Sequence, residues 1–252
     1  MRWILATFVV GSVMVSMSAA GHVGSTVGSL MPWETLECPD TPTAESLTYV
    51  FPDPTDPLGV VTVHLLCYAP AAPGADACTS SAYALTGWSW PNKVSMKVDP
   101  TNSGLSATGV VSAFGSSGSA WDQATGASIW GGVTQNTGGA SAGKKDGTNQ
   151  IGFKMGGGNT IAVTYTWSSG GTAVESDGKY NTQFPWSLTG EANKMDVQNI
   201  GTHEIGHTFG LGHPANTPAN SCLTMYAYAD YGETQKRSLE TGDKNGIGAI
   251  YG

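Results

Sequence analysis

Large apolar side chains alternate with small ones between residues 160 and 167, where Ile161, Val163, Tyr165 and Trp167 are separated by Ala or Thr. A period of two is typical of a β-strand. We predict further strands at residues 93–98, 127–133, 150–154 and 172–180. The pattern from about residue 88 onward therefore predicts a sheet of short strands.

Helical spacing appears on either side of these strands. Apolar residues at Val110, Val111, Phe114 and Trp121 predict a helix over residues 106–121 despite its glycines. Asp196 is a plausible N-cap for a second helix that begins just after it. Mixed strands and helices along one stretch of chain predict a single α+β domain.

The first 20 residues have the pattern of a secretory signal peptide. Arg2 precedes a mostly apolar run to residue 17, and Ser18-Ala19-Ala20 offers small residues for cleavage. The run is short and contains Gly and Ser, so we expect no stable membrane span; an uncleaved anchor is the alternative. We therefore predict a secreted, extracellular protein.

Composition agrees with a secreted location. Charged residues are only 12% of the chain and Gly is frequent, at 35 of 252 residues, which suits a loop-rich extracellular protein. The net charge is −8, and no basic cluster is present that could neutralise phosphates. We therefore expect no nucleic-acid partner.

Residues 203–213 carry the candidate chemistry and read HEIGHTFGLGH. His203 and His207 are four residues apart, so both imidazoles lie on one helix face and can reach one metal ion. Gly210 can end the helix in the left-handed conformation, which lets the chain bend back and deliver His213 as a third ligand. Three nitrogens with one open position are typical of a catalytic zinc site.

Glu204 follows the first of these histidines and is predicted to lie beside the open position. There it can take a proton from a zinc-bound water, which predicts a zinc hydrolase with one catalytic zinc ion and Glu204 as the general base. The alternative is an inactive, non-proteolytic zinc-binding module. The intact Glu204 argues against that alternative, because a binding module needs no base.

The pattern H-E-x-x-H-x-x-G-x-x-H followed by a methionine turn resembles the metzincin metallopeptidases. Met225, in the run SCLTMY at residues 221–226, stands where that turn is expected, and the resemblance implies a hydrophobic floor beneath the metal. The run LTMY and residues 239–252 are most similar to the matrixin catalytic domain. The resemblance implies a mixed five-stranded sheet, an active-site helix and a C-terminal helix, with zinc endopeptidase activity, in residues 82–252.

The same resemblance implies how a protein or peptide substrate binds. In matrixins an edge strand pairs with an extended peptide above the zinc, a case of β-strand addition. The matching residues here are Thr160, Ile161, Ala162 and Val163. Tyr226 would begin the loop that lines the pocket just past the scissile bond.

Residues 21–81 differ from the rest of the chain, because they hold eight of the 13 prolines. Such a density disfavours long helices and favours extended or irregular chain. Two interpretations remain open. The segment is either a surface extension packed on the domain or a prosegment that blocks the active site until it is removed.

Four cysteines bear on that choice: Cys38, Cys67, Cys78 and Cys222. An even number in a secreted chain suggests disulfides, and Cys67 and Cys78 are close in sequence, so we predict a local bridge between them. Cys38 would then pair with Cys222 or remain free. A free Cys38 could bind the zinc as a matrixin prosegment cysteine does, although the run LECPD at residues 36–40 lacks the Arg and Gly of that motif.

Calcium is a further possible ligand, since matrixins often carry it. Oxygen-bearing side chains in two groups could bind it: Asp146 with Asn149, or Glu175 with Asp177 and Asn181. The alternative is that these are solvated loop residues. Only His22 and His64 lie outside the zinc motif, so we do not expect a second, histidine-rich zinc site.

Overall fold

The computed structural model describes residues 31–40, 47–70, 78–154 and 156–252. The predicted signal peptide at residues 1–20, and His22, lie outside these ranges. Pro32–Gly252 forms one compact unit. Within the described part of the chain, no helix combines the length and the apolar character needed to cross a bilayer.

Strands make up most of the regular structure. Those in the described ranges are β1 (Thr48–Pro52), β2 (Gly59–Tyr68), β3 (Ala84–Leu85), β4 (Val94–Asp99), β5 (Trp130–Gln135), β6 (Gln150–Lys154), β7 (Thr160–Ser169), β8 (Thr172–Asn181), β9 (Trp186–Ser187), β10 (Met195–Asp196), β11 (Leu211–Gly212) and β12 (Tyr228–Ala229). The main sheet has the order β1-β2-β7-β8-β6-β4-β5, with β12 paired to β2 off this path. The remaining strands form two small pairs, β10 with β9 and β11 with β3.

The predicted mixed five-stranded sheet is confirmed as the part formed by β4 to β8. In it β8, β6, β4 and β5 are parallel, and β7 runs antiparallel to β8. Strand β5 begins at Trp130 rather than at residue 127. The Asp122 carboxylate accepts the backbone N–H groups of Ile129 and Trp130, so the chain before Trp130 is held as a turn.

The α-helices of the described residues are α1 (Ala107–Thr125), α2 (Val197–Thr208) and α3 (Thr241–Tyr251); α1 and α2 pack on the sheet, and α3 packs against α1. Short 3₁₀ turns occur at Pro32–Thr35, Pro218–Asn220 and Gln235–Arg237. The glycines of α1 serve close packing: a Cβ on Gly118 would lie 2.2 Å from the Trp130 ring. An ordinary side chain there would push the helix off the sheet, so the helix tolerates the lower propensity of glycine.

Apolar side chains form two separate clusters on the two faces of the sheet. The catalytic core packs beneath the three helices, and its main members are Met96, Phe114, Trp121, Ile151, Phe153, Tyr180, Ile200, Ile205, Phe209, Met225 and Ile247. The cleft cluster comprises Trp33, Cys38, Leu47, Val61, Val63, Leu65, Cys67, Val163, Tyr165, Trp167, Ala227 and Tyr228. Val163, Tyr165 and Trp167 of the predicted alternation lie in the cleft cluster, whereas Ile161 and Ala162 lie in the catalytic core.

The described parts of the Pro-rich extension form β1, β2 and one 3₁₀ turn, and its disulfides differ from the prediction. Cys38 pairs with Cys67 and Cys78 pairs with Cys222, at Cα separations of 5.7 and 5.5 Å. The predicted Cys67–Cys78 bridge is wrong, and Cys38 is not free to bind zinc. Cys67 lies inside β2, where backbone pairing with β7 and β12 sets its position. Proximity in sequence therefore did not decide its partner.

Candidate metal centre

Helix α2 is fixed at its start by a buried carboxylate. Asp196 caps the helix by accepting the backbone N–H of Asn199 at 2.9 Å, as the sequence predicted. The same carboxylate accepts two hydrogen bonds from Arg237, at 2.8 and 2.6 Å. A cap joined to a two-point guanidinium contact is a rigid start for a helix, and it sets the direction in which the helix presents its side chains.

The three motif histidines converge. Their Nε2 atoms lie 3.0 Å apart for His203 and His207, 2.9 Å for His207 and His213, and 3.2 Å for His203 and His213. The chain turns back through Gly210, whose φ is +101°. A Cβ on Gly210 would lie 2.6 Å from the Trp88 carbonyl oxygen, so both the backbone conformation and the available space require glycine there.

Backbone carbonyls orient two of the rings. The Nδ1 of His203 lies 2.7 Å from the Thr224 oxygen, and the Nδ1 of His207 lies 2.8 Å from the Leu211 oxygen. Each Nδ1–H therefore donates to a carbonyl, which leaves the Nε2 lone pair facing the centre. Burial lowers the pKa of all three histidines, to about 3 for His207.

Neutral imidazoles with lone pairs at this separation repel one another unless a cation lies between them. A tetrahedral zinc ion with bonds of about 2.1 Å places its nitrogens about 3.4 Å apart. The observed spacing is close to that value, so this donor set fits zinc.

Glu204 lies on the same turn of α2 and is fully desolvated. The Thr164 hydroxyl donates to its Oε2 at 2.6 Å, while its Oε1 is buried with no hydrogen-bond partner in the described part of the chain. Burial raises the pKa of Glu204 to about 8, and the Thr164 hydrogen bond opposes that rise. A buried carboxyl with one oxygen held and one free can exchange a proton with a bound molecule.

Met225 lies against α2 directly beside the histidines. A Cβ on Gly206 would lie 2.4 Å from the Met225 sulfur, so α2 and the turn that carries Met225 are too close to admit any side chain at position 206. The turn that carries Met225 is held by the buried Asp243 of α3, which accepts the backbone N–H groups of Thr224 and Met225 at 2.9 and 3.1 Å. The carbonyl of the same Thr224 accepts from His203, so Asp243 positions His203 indirectly by holding Thr224.

The residues predicted to bind substrate lie on β7, but β7 is not an edge strand in this structure. Strand β2 of the extension pairs antiparallel with it over nearly its whole length, with His64 opposite Thr164. Tyr226 is half-buried and its hydroxyl donates to Asn216 at 2.6 Å. The expectation of an open edge is therefore wrong for the full chain, because the extension supplies one more strand.

The residues considered for calcium form a hydrogen-bonded loop anchor. Glu175 accepts the backbone N–H groups of Asp146 and Gly147 at 2.8 and 2.6 Å, and Asp177 accepts those of Gly143 and Gln150. Asn149 and Asn181 also accept backbone N–H groups. Among the described residues, the one group of His, Cys, Asp or Glu side chains that could hold an ion comprises His64, His207 and His213, and it includes none of these carboxylates.

Comparison with known proteins agrees with this geometry. The sequence profile of the family described as Matrixin matches residues 88–252, which include α2, Met225 and α3. The chain belongs to the matrixin family. It is also similar to human matrilysin, with 30% identity over 95 residues, which is 38% of this chain and 33% of matrilysin. The aligned part thus spans about a third of that relative.

Matrixin membership confirms the resemblance inferred from the zinc motif and the methionine turn. At the level of the family it supports a metalloendopeptidase and implies zinc. The matched region lies inside the domain predicted at residues 82–252. The extension before residue 82 lies outside the match, so its role is inferred from the contacts that it makes in the structure.

Three residues near the centre were not predicted. Thr164 and Asp243 carry no motif, because each acts through one hydrogen-bonding group brought in from a distant strand or helix. His64 was placed in the extension, away from the site, and in the structure its ring stacks on His207 at 3.9 Å. The one available signal for His64 was its position in the apolar run GVVTVHLLCY of β2, where a polar residue is unusual.

Proposed function

We propose that this protein is a secreted zinc endopeptidase in which His203, His207 and His213 hold the metal. The observation that carries the proposal is the convergence of their three Nε2 atoms at 2.9–3.2 Å, with the Glu204 carboxyl on the same helix. Zinc in such a site supplies Lewis acidity, which polarises a scissile carbonyl and lowers the pKa of a water molecule to about 7.

Glu204 is assigned the role of general base. Its free Oε1 accepts the proton of the attacking water, and the same carboxyl then passes a proton to the leaving amine. Thr164 holds Oε2 in place, so Oε1 is the carboxyl oxygen that faces the attacking water. Met225 is assigned the role of a hydrophobic floor, because it is buried and its sulfur packs against Gly206 of α2.

Substrate is proposed to bind by β-strand addition to β7 at Thr160–Val163, with Tyr226 at the wall of the pocket just past the scissile bond. Backbone groups along that strand provide affinity without selecting a sequence. This mode requires the position next to β7 to be vacated by β2.

Secretion is part of the proposal. Two disulfides persist only in an oxidising compartment, and residues 1–20 have the signal-peptide pattern. Calcium is not required, because the carboxylates considered for it already accept backbone N–H groups.

The test is chelator-sensitive proteolysis. Protein that contains one zinc per chain and from which the extension has been removed should cleave casein, lose that cleavage with 1,10-phenanthroline, and regain it when zinc is restored. The matched control is His213→Ala, which should lose both zinc and cleavage, since one of three protein ligands is removed. If zinc-loaded protein cleaves nothing, with the extension present or removed, the endopeptidase proposal is wrong and a non-proteolytic zinc-binding module remains.

That alternative is a non-proteolytic zinc-binding module. It is favoured by one observation, the pairing of β2 along the strand that substrate would use. Cleavage that appears once the extension is removed would eliminate it.

A further inference from the structure

Strand β2 is bonded on both sides, as an extended peptide in a cleft would be. On one side it pairs antiparallel with β7. On the other it runs parallel to β12, with the N–H of Cys67 donating to the Ala227 carbonyl at 3.0 Å and that of Ala69 donating to the Ala229 carbonyl at 3.1 Å. The segment that begins at Tyr226 and strand β7 thus form two walls, and β2 fills the space between them.

His64 lies at the point of β2 nearest the candidate metal centre. Its ring is fully buried, stacks on His207 with an angle of 3° between the planes, and meets the edge of His213 at 5.7 Å. One ring nitrogen each from His64, His207 and His213 lie within 4.8 Å of one another. The ring of His64 is parallel to that of His207, so it must rotate out of the stack before its lone pair can face the ion held by the motif histidines.

The two ring nitrogens of His64 have different surroundings. Nδ1 lies 3.0 Å from the Thr48 hydroxyl on the neighbouring strand β1, whereas Nε2 is buried with no hydrogen-bond partner among the described residues. A buried nitrogen without a partner is unfavourable, because it has lost its hydrogen bond to water. Thr48 orients the ring, and a metal ion would satisfy the remaining nitrogen.

Resting on the proposed function, we propose that β2 is a built-in occupant of the substrate cleft and that His64 supplies a fourth nitrogen to the zinc. Four protein ligands make a closed site without a position for water. The full chain is then latent, and it is held so by a histidine where the known matrixin prosegments use a cysteine.

The anchoring of β2 fits this role. Val61, Val63 and Leu65 are completely buried in the cleft cluster, so displacing the strand would expose their apolar surface to water. The Cys38–Cys67 bridge ties the strand to the start of the extension, and the Cys78–Cys222 bridge ties the chain that follows it to the segment before Met225. The strand therefore leaves the cleft only when these anchors are broken or the segment is cut.

The test counts the zinc ligands of the full-length protein by X-ray absorption at the zinc edge. We expect four imidazole nitrogens in the wild type and three with one oxygen in His64→Phe, which keeps a ring but removes the nitrogens. The zinc dissociation constant should rise about tenfold or more in His64→Phe. Thr62→Val, two residues away on the same face of β2, is the matched control and should match the wild type.

A second readout uses the cobalt-substituted protein and acetohydroxamate as a small metal-directed probe. The visible spectrum of the wild type should not respond to the probe, whereas that of His64→Phe should shift and saturate. A wild-type site with three nitrogens and an oxygen would overturn the inference, even if His64→Phe failed to fold. This outcome is distinct from failure of the proposed function, which is measured by casein cleavage after removal of the extension.

Discussion

The two apolar clusters differ in where their residues come from. The catalytic core is built almost entirely within the matrixin-matched region, with Leu66 as a contribution from the extension. The cleft cluster takes most of its members from residues 33–67 and the rest from β7 and the segment around Tyr228. The catalytic core is therefore nearly complete without the extension, whereas the cleft cluster exists only while the extension pairs with β7.

This difference implies that the two faces of β7 have separate functions. Thr164 points to α2 and holds Glu204, while its neighbours Val163 and Tyr165 pack into the cleft cluster. A change on one face should alter catalysis, and a change on the other should alter access to the site.

The largest effect should come from the α2 face. In the form of the protein that cleaves casein, Glu204→Ala should lower turnover by about 10²- to 10⁴-fold, since a general base is removed. Zinc content should be unchanged, because no ligand is lost. Near-normal turnover with zinc bound would show that another group takes the proton.

Truncation of one buried valine in each cluster should distinguish an effect on access to the active site from an effect on folding stability alone. Val63 in the cleft cluster and Val110 in the catalytic core are both completely buried, so truncation of either to Ala should cost roughly 2 kcal/mol of folding stability in urea titrations. Val63→Ala should also raise cleavage by the full chain, by up to about 30-fold, because the same free energy weakens the closed position of β2. Val110→Ala should not. Equal cleavage by the two variants would contradict the separation.

The contact between α2 and the methionine turn should tolerate no added methyl group. Gly206→Ala would bring its Cβ within 2.4 Å of the Met225 sulfur and 2.6 Å of the Trp121 ring, which should cost about 1–3 kcal/mol. Gly248→Ala in α3 is the matched control, because its Cβ meets nothing within 4 Å, and it should stabilise the helix by roughly 0.5–1 kcal/mol. Thermal unfolding of both variants measures the difference.

The cleft face should also show a pH dependence through Asp177, which lies opposite Tyr165. Burial raises the pKa of Asp177 to about 8 in spite of two backbone hydrogen bonds. The folded state therefore holds a proton that the unfolded chain releases near pH 4, so its contribution to stability is full below pH 4 and is lost as the pH rises through 8. Asp177→Asn should flatten the dependence of the unfolding free energy across this window; an unchanged slope would count against the shifted pKa.

The smallest effect should be that of calcium removal. Because the Glu175 and Asp177 oxygens already accept backbone N–H groups, calcium chelation with zinc retained should lower the melting temperature by less than about 2 °C. A larger drop, reversed by added calcium, would establish a site that these hydrogen bonds do not account for.

Local patterns were sufficient for the elements and for the family. The alternation at residues 160–167, the Asp196 cap and the spacing of His203, His207 and His213 depend on neighbours within one strand or helical turn, so the chain encodes them directly. The methionine turn at Met225 was predicted from the resemblance to the metzincins rather than from a local pattern.

Only the tertiary structure decided what lies against these elements. The pairing of β2 with β7 joins segments about 100 residues apart, and it sets the partner of Cys67, closes the predicted open edge and brings His64 onto His207. Thr164 and Asp243 likewise act across the fold through single hydrogen bonds. Such contacts depend on the register between distant strands, and register is set by which face must be buried in the whole fold rather than by any local sequence pattern.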